Sequence, residues 1–242
     1  MKRPRLYVPQ ELIAGSELEL PAEASNHLRV LRLAVGNPLT LFNGRGGEYP
    51  TELIALDKRQ ARVRLGEFLD REAESPLRLT LIQGVSKGDR MDYTIQKAVE
   101  LGVQRIVPVF TERSVVQLDG ERLAKREEHW RGVMASACEQ CGRNRLPELL
   151  PALPLARAWD RLGEGLKLVL DPGAERGLRA LQPAGSDVAL LVGPEGGLTD
   201  AEVATALHHG FTGVRLGPRI LRTETAGVAA LAALQVLAGD LG

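Results

Sequence analysis

Leu190-Leu191-Val192-Gly193-Pro194-Glu195-Gly196-Gly197 decides how this chain is read, because its grammar returns at Leu216-Gly217-Pro218-Arg219-Ile220-Leu221-Arg222-Thr223-Glu224-Thr225-Ala226. In each, a short apolar run predicts a buried strand, breaks at a Gly-Pro pair, crosses a polar loop and gives way to a helical pattern. Loops leaving the carboxyl ends of strands are where open α/β sheets hold ligands. Glycines leave main-chain N–H and C=O groups uncovered, so a flat ligand can rest directly on backbone. A tight turn before a helix explains one such loop. Two of them, each with a glutamate and the second with two arginines, point to a site.

Around these loops lie 242 residues, room for one large or two modest domains. A 44% hydrophobic and 26% charged composition is ordinary for a globular chain. No apolar run approaches the length of a membrane span, and Met1-Lys2-Arg3-Pro4-Arg5 leads into no signal-peptide core, so a cytoplasmic location is expected. The 31 basic and 31 acidic residues cancel, which disfavours a nonspecific nucleic-acid coat but not a local basic face. The clusters available for such a face are Lys2, Arg3 and Arg5, then Arg29 and Arg32, then Arg143 and Arg145. Cys138 and Cys141 form a lone C-x-x-C with no second ligand pair, so reduced structural cysteines and no metal are expected.

Residues 6–70 read as short strands with turns, a small β-barrel. The strands are 6–8, 17–20, 39–42, 52–55 and 61–65, with a hairpin signal at Asn43-Gly44-Arg45-Gly46-Gly47 and a helix near 22–31. A proline-ended acidic run then places the boundary between domains 1–74 and 75–242. Beyond it strands alternate with helices, which implies a largely parallel sheet. Strands are expected at 79–82, 105–110, 166–170, 188–192 and 213–216, with Gln83–Asp89 as a polar loop. Asp89 is read as the cap of a helix over 90–101, and a long helix follows over 121–141. Thr199 with Glu202 predicts a capping box, and an alanine-rich helix runs from 225 to 238. Small residues on that last helix suit a helix-packed dimer.

No G-x-x-x-x-G-K-[ST], no G-x-G-x-x-G at a first βα turn and no G-x-S-x-G occur, which disfavours P-loop, dinucleotide and hydrolase chemistry. Lys87 is open to two readings, a phosphate contact or a solvated loop lysine.

The two loops, taken with Ala137-Cys138-Glu139-Gln140-Cys141-Gly142-Arg143-Asn144, resemble the bacterial small-subunit ribosomal RNA methyltransferases that make N3-methyluridine, members of the SPOUT superfamily. The similarity extends from Pro4-Arg5 through Gln96-Lys97-Ala98-Val99-Glu100-Leu101-Gly102 to the final helix. It implies an α/β fold in which a SPOUT-type trefoil-knot methyltransferase domain follows a PUA-like RNA-binding β-barrel, and a homodimer. It implies S-adenosylmethionine as methyl donor and a uridine in the decoding region of 16S rRNA as target, modified in the assembled small subunit.

N3 of uridine must lose its proton as it attacks, and charge then grows on the uracil carbonyls. Arg222, and after it Arg219, are the candidates to stabilise that charge. Glu224 or Glu195 either accepts the proton or anchors a loop, with anchoring favoured for Glu195. The resemblance places the cofactor on Gly193, Pro194, Glu195, Gly196, Gly197, Gly217 and Thr223, beside Leu168 and Leu170, with apolar contact from Leu216, Ile220 and Leu221. A side chain at Gly193 or Gly197 is expected to fill the cofactor's space. Glu139, Gln140, Arg143 and Asn144 are open to two readings, contacts to a base edge or its phosphates, or the polar capping of a helix end. Arg3, Arg5, Arg29 and Arg32 are candidate phosphate contacts. A noncatalytic RNA-binding or ribosome-assembly factor, or a SPOUT methyltransferase acting on tRNA or a ribose 2′-OH, are the competing functions.

Overall fold

The structure is a computed structural model that describes residues 3–57, 60–116, 118–181 and 187–242. It divides into two compact units, Met1–Glu74 with Ala135–Leu146, and Ser75–Met134 with Pro147–Gly242. The break after Glu74 falls where the acidic run ends, but residues 135–146 group with the first unit rather than the second.

In the first unit, β1 (Arg5–Tyr7), β2 (Glu17–Glu19), β3 (Pro38–Phe42), β4 (Tyr49–Leu56) and β5 (Ala61–Leu65) form one sheet of order β1-β3-β4-β5-β2. Its pairing path ends at β1 and β2, so the expected barrel is, among the described residues, a five-stranded ladder with two ends. Alternation writes the core: along β5, Ala61, Val63 and Leu65 are buried and Arg62 and Arg64 are exposed. These three pack with Leu6, Leu39, Leu41 and Leu53, and with Leu28 of helix α1 (Ala22–Val30). Each such side chain taken from water contributes about 1.5–3 kcal/mol before chain entropy is charged against it.

The second unit holds β6 (Arg78–Gly84), α2 (Asp89–Glu100), β7 (Val103–Phe110), the start of α3 (Gly120–Cys141), β8 (Glu148–Leu149), β9 (Leu153–Pro154), β10 (Leu166–Leu170), β11 (Asp187–Val192), α4 (Asp200–His208), β12 (Thr212–Val214) and α5 (Thr223–Ala238). The sheet order is β12-β10-β11-β6-β7-β8, with β9 also on β7. Every pairing in it is parallel. Residues of β10 and β11 are apolar but for Lys167 and Asp187, as strands covered on both faces must be, and Leu79, Leu81 and Ile82 of β6 are fully buried beside them. Register aligns Val192 with Gln83 and Leu170 with Val214, so the carboxyl ends form one edge. Met91, Ile95, Ala98 and Val99 make the buried stripe of α2.

Three local expectations are corrected. Gln83 and Gly84 belong to β6 and are buried, not loop residues. Gly88, at φ +63°, occupies the N-cap of α2, and Asp89 makes no side-chain cap there. Pairing in β12 stops at Val214, because the next N–H, that of Arg215, donates to Arg176 O at 2.8 Å. The capping box of α4 is present as read, with Glu202 N–H donating to Thr199 Oγ1 at 3.2 Å and Thr199 N–H to Glu202 Oε2 at 2.8 Å.

Candidate active site

At the carboxyl edge of the parallel sheet, the loops after β10, β11 and β12 enclose a cavity of about 680 Å³, a size typical of small-molecule sites. The chain reaches it because β11 ends at Val192 and turns at once, Gly197 N–H donating to Pro194 O at 2.9 Å. Gly197 has φ +70°, a left-handed conformation that glycine alone adopts without strain, and a Cβ there would meet nothing within 4 Å. Gly217, at φ +75°, is equally open. Main chain at both turns therefore faces the cavity uncovered.

Gly193 is different. A Cβ on it would lie 2.9 Å from Gly197 C and Leu198 N, so the packing of its own turn already requires a glycine here. Gly196 would strike Arg113 Cβ at 2.9 Å. A bulky residue at Gly193 would therefore disturb the turn itself, against the expectation that the fold is retained, while Gly197 has open space beside it.

The two loops are tied together beneath the cavity. Thr223 Oγ1, on a residue only 7% exposed, donates to Gly193 O at 2.6 Å and accepts from Gln83 Nε2 at 3.1 Å. Gln83 Nε2 also donates to Gly84 O at 3.0 Å. Close approach is possible because Gly84 has no side chain: a Cβ would sit 2.5 Å from Pro194 N. Arg113 clamps the glycine turn from outside, donating from Nη1 to Gly196 O and Leu198 O, each at 3.2 Å.

Glu195 Oε1 accepts from Lys87 N–H at 2.8 Å and from Arg90 Nη1 at 3.0 Å. Burial opposes ionisation of Glu195, but hydrogen bonds from the Lys87 N–H, its own N–H and Arg90, with the Arg90 charge, outweigh it and hold the carboxyl below its ordinary value. Glu195 is thus an anchor. Glu224 is placed otherwise: Arg90 Nε lies 3.9 Å from its Oε1, and its Oε2 is buried without a hydrogen-bond partner. Arg219 and Arg222 line the same cavity, both exposed, and no carboxylate among the described residues pairs with either.

The cavity gathers Arg219, Arg222 and Glu224 with Leu170, the glycine turn, Leu216, Gly217, Ile220, Leu221 and Thr223. Leu168 is not part of it; fully buried one layer below Leu170, it belongs to the core. The residues missed from sequence were Gln83, Gly84, Arg90 and Arg113. Gln83 carried a signal, a lone amide closing an apolar strand immediately before a glycine. Arg90 and Arg113 carried none, since their carbonyl and carboxylate partners lie far away in sequence.

In the first unit, four candidate RNA contacts are spent on structure. Arg5, its side chain 8% exposed, binds Glu48 and Asn144 Oδ1 and lies 5.1 Å from the Phe42 ring centroid. Arg143, its side chain 3% exposed, makes a two-pronged pair with Glu74 at 3.0 and 2.6 Å. Asn144 is fully buried between Glu48 and Arg71 O. Glu139 accepts from Tyr7 N–H at 2.9 Å, and burial raises its pKa against that bond and nearby cations. Arg143, Asn144 and Glu139 thus cap no helix end but bond to Glu74, to Glu48 and Arg71 O, and to Tyr7 N–H, as buried polar groups must find partners. Gln140, Arg3 and Arg32 are exposed, and Arg29 is turned to Asp57 O at 2.9 Å. Lys2 lies outside the described residues. Cys138 and Cys141 are unpaired, and burial pushes the Cys138 thiol up to about 12, where it is inert.

Comparison with known proteins agrees with this geometry. An RNA methyltransferase domain family matches residues 73–235 and an RNA methyltransferase PUA domain family matches 20–66. The ribosomal RNA small subunit methyltransferase E of Buchnera aphidicola (Schizaphis graminum) is 34% identical over 98% of each chain, and that of Bacillus subtilis 30% over 96% of each. A crystal structure of the ribosomal RNA small subunit methyltransferase E from Neisseria gonorrhoeae bound to S-adenosyl methionine superposes with a TM-score of 0.92 at 42% identity, covering 99% of this chain and 100% of that one. A putative methyltransferase of Legionella pneumophila in complex with the same cofactor gives 0.95 at 43%, covering both chains fully. The fold class is accordingly a SPOUT-type α/β methyltransferase domain preceded by a PUA-like domain. The chain belongs to the ribosomal RNA small subunit methyltransferase E family.

Proposed function

We propose that this chain transfers the methyl group of S-adenosylmethionine to N3 of a specific uridine in the decoding region of 16S rRNA, acting on the assembled small subunit in the cytoplasm. One observation carries the reading: a cavity floored by uncovered main chain at Gly197 and Gly217 also holds Arg219 and Arg222, among other arginines without carboxylate partners, and a glutamate with an unsatisfied oxygen. The donor set suits a nucleoside-containing cofactor, whose ring edges and hydroxyls pair with backbone, and the solved relatives that hold S-adenosyl methionine support it.

The main chain at Gly197 and Gly217 would hold that cofactor, with Leu170, Leu216 and Leu221 against its apolar parts. When bound it supplies an electrophilic methyl on a sulfonium. Arg222, fixed by its place at the N-cap of α5, stabilises the negative charge that develops on the uracil carbonyls. Arg219 assists from the same loop. Glu224 Oε2, lacking any partner, receives the N3 proton. Glu195 holds the glycine turn to Lys87 and Arg90 and takes no proton. Val236 and Leu237 of α5 stay exposed, which supports a homodimer packed through that helix with the knotted backbone that the resemblance implies.

Labelled methyl transfer to small subunits lacking the modification, with deproteinised rRNA in parallel and nucleoside mass spectrometry of the product, tests this. N3-methyluridine on subunits, with little on free RNA, is expected. A 2′-O-methylated nucleoside, or transfer only to tRNA, would replace the reading by another within the superfamily.

A further inference from the structure

Most of the arginines that stand near carboxylates are neutralised by them, as Arg62 and Arg64 are by Glu17 and Arg78 by Asp187. Other arginines have no such partner, and two segments of the second unit gather several of these side by side. Residues 174–180 carry Arg176 and Arg179, and residues 215–222 carry Arg215, Arg219 and Arg222; all five are exposed, and none has a carboxylate within 4.0 Å among the described residues. Glu175 is the sole acid in these two stretches and pairs with none of them. The segments run side by side: Arg215 N–H donates to Arg176 O at 2.8 Å, Gly177 bridges Arg215 in parallel, and a Cβ at Gly213 would lie 3.5 Å from Ala174 Cβ.

Five uncompensated guanidinium groups held on two adjacent loop segments repel one another, and a chain with zero formal net charge has acids enough to have paired them. Guanidinium is also the side chain whose planar fork matches phosphate oxygens two at a time. Arg215, Arg219 and Arg222 line the cavity, whereas Arg176 and Arg179 lie outside it. The basic surface therefore starts at the cavity and continues away from it along the sheet edge at β12.

We infer that Arg176, Arg179 and Arg215 form a phosphate-binding shelf for the RNA backbone flanking the target nucleotide. The inference rests on the proposed function for its partner, an RNA, and goes beyond it in placing that partner's phosphates on the second unit. Arg219 and Arg222 keep their work inside the cavity.

The test uses the full chain as wild type, as Arg176→Ala/Arg179→Ala, and as the double lysine variant. Binding to small subunits and to deproteinised 16S rRNA is measured over a salt series, together with S-adenosylmethionine affinity. Losing two phosphate contacts should flatten the slope of log K against log salt by about 1.4, at about 0.7 per contact on single-stranded RNA. RNA binding should weaken about tenfold or more at low salt on both substrates, with cofactor affinity unchanged and the lysine variant keeping the wild-type slope. An unchanged slope overturns the shelf, as does a loss confined to subunits, which would indicate an acidic protein surface instead. A parallel loss of cofactor affinity would show a structural role and overturn it too. Wild-type protein that binds RNA with the expected slope but transfers no methyl would refute the proposed function and leave the shelf standing.

Discussion

Thr223 offers the sharpest test of how the two loops are joined. Its hydroxyl donates to Gly193 O at 2.6 Å and accepts from Gln83 Nε2 at 3.1 Å on a buried residue. Thr223→Val keeps the shape and removes the hydroxyl. Gln83 Nε2 still has Gly84 O at 3.0 Å, but Gly193 O keeps only a contact of 3.5 Å to that amide, so one buried carbonyl is left effectively unpaired. Leaving such a group unsatisfied costs about 1–3 kcal/mol. If the whole cost falls on the ordered loop, S-adenosylmethionine affinity drops about 5- to 150-fold. Calorimetric titration measures it, and Thr223→Ser, which restores the hydroxyl, should bind nearly as wild type. A valine variant with wild-type affinity and melting temperature, or a serine variant that behaves like valine, would refute the reasoning.

Four further outcomes follow from the same geometry. Gly193→Ala should lose about 1–3 kcal/mol of stability, because its methyl meets backbone at 2.9 Å; Gly197→Ala, at φ +70°, should lose about 1 kcal/mol through backbone strain, stay folded and lose cofactor binding, which titration of the folded variant checks beside its melt. Arg222→Ala should retain cofactor affinity and lose about 10²- to 10³-fold in kcat, and unchanged turnover would remove Arg222 from the chemistry. The depressed pKa of Glu195 means that its tie is complete above the ordinary carboxylate value of 4.5 and is lost as pH falls through the lower folded value. Cofactor affinity should then be flat through neutral pH with an acid limb that Glu195→Gln lacks; an identical limb in both would assign it elsewhere. Arg5→Ala leaves Glu48, whose side chain is 11% exposed, with Arg71 and Asn144, and should cost about 1–3 kcal/mol in unfolding free energy with cofactor affinity intact.

Residues 61–65 and 166–170 could be bounded from sequence because their patterns, strict alternation and an apolar run interrupted only by Lys167, each report one environment. The turns were legible through glycine, whose role at 197 and 217 is local. What sequence could not show was which polar residues face inward. Arg5, Arg143 and Asn144 look like free surface groups until Glu48, Glu74 and Arg71 are brought beside them by contacts 43–73 positions apart. Arg90 and Arg113 were invisible for the same reason. Short strands such as β8 and β9 carry too few residues to show a period, and β12 was read too long because its loss of pairing depends on Arg176.

The central claim is that the cavity at the ends of β10, β11 and β12 is where this chain holds its methyl donor. A crystal of the protein grown with saturating S-adenosylmethionine tests it directly. The account predicts ligand density on the main chain of Gly197 and Gly217, within reach of Arg222 and Glu224. Density seated elsewhere, or an empty cavity in protein shown by titration to be saturated, would contradict it.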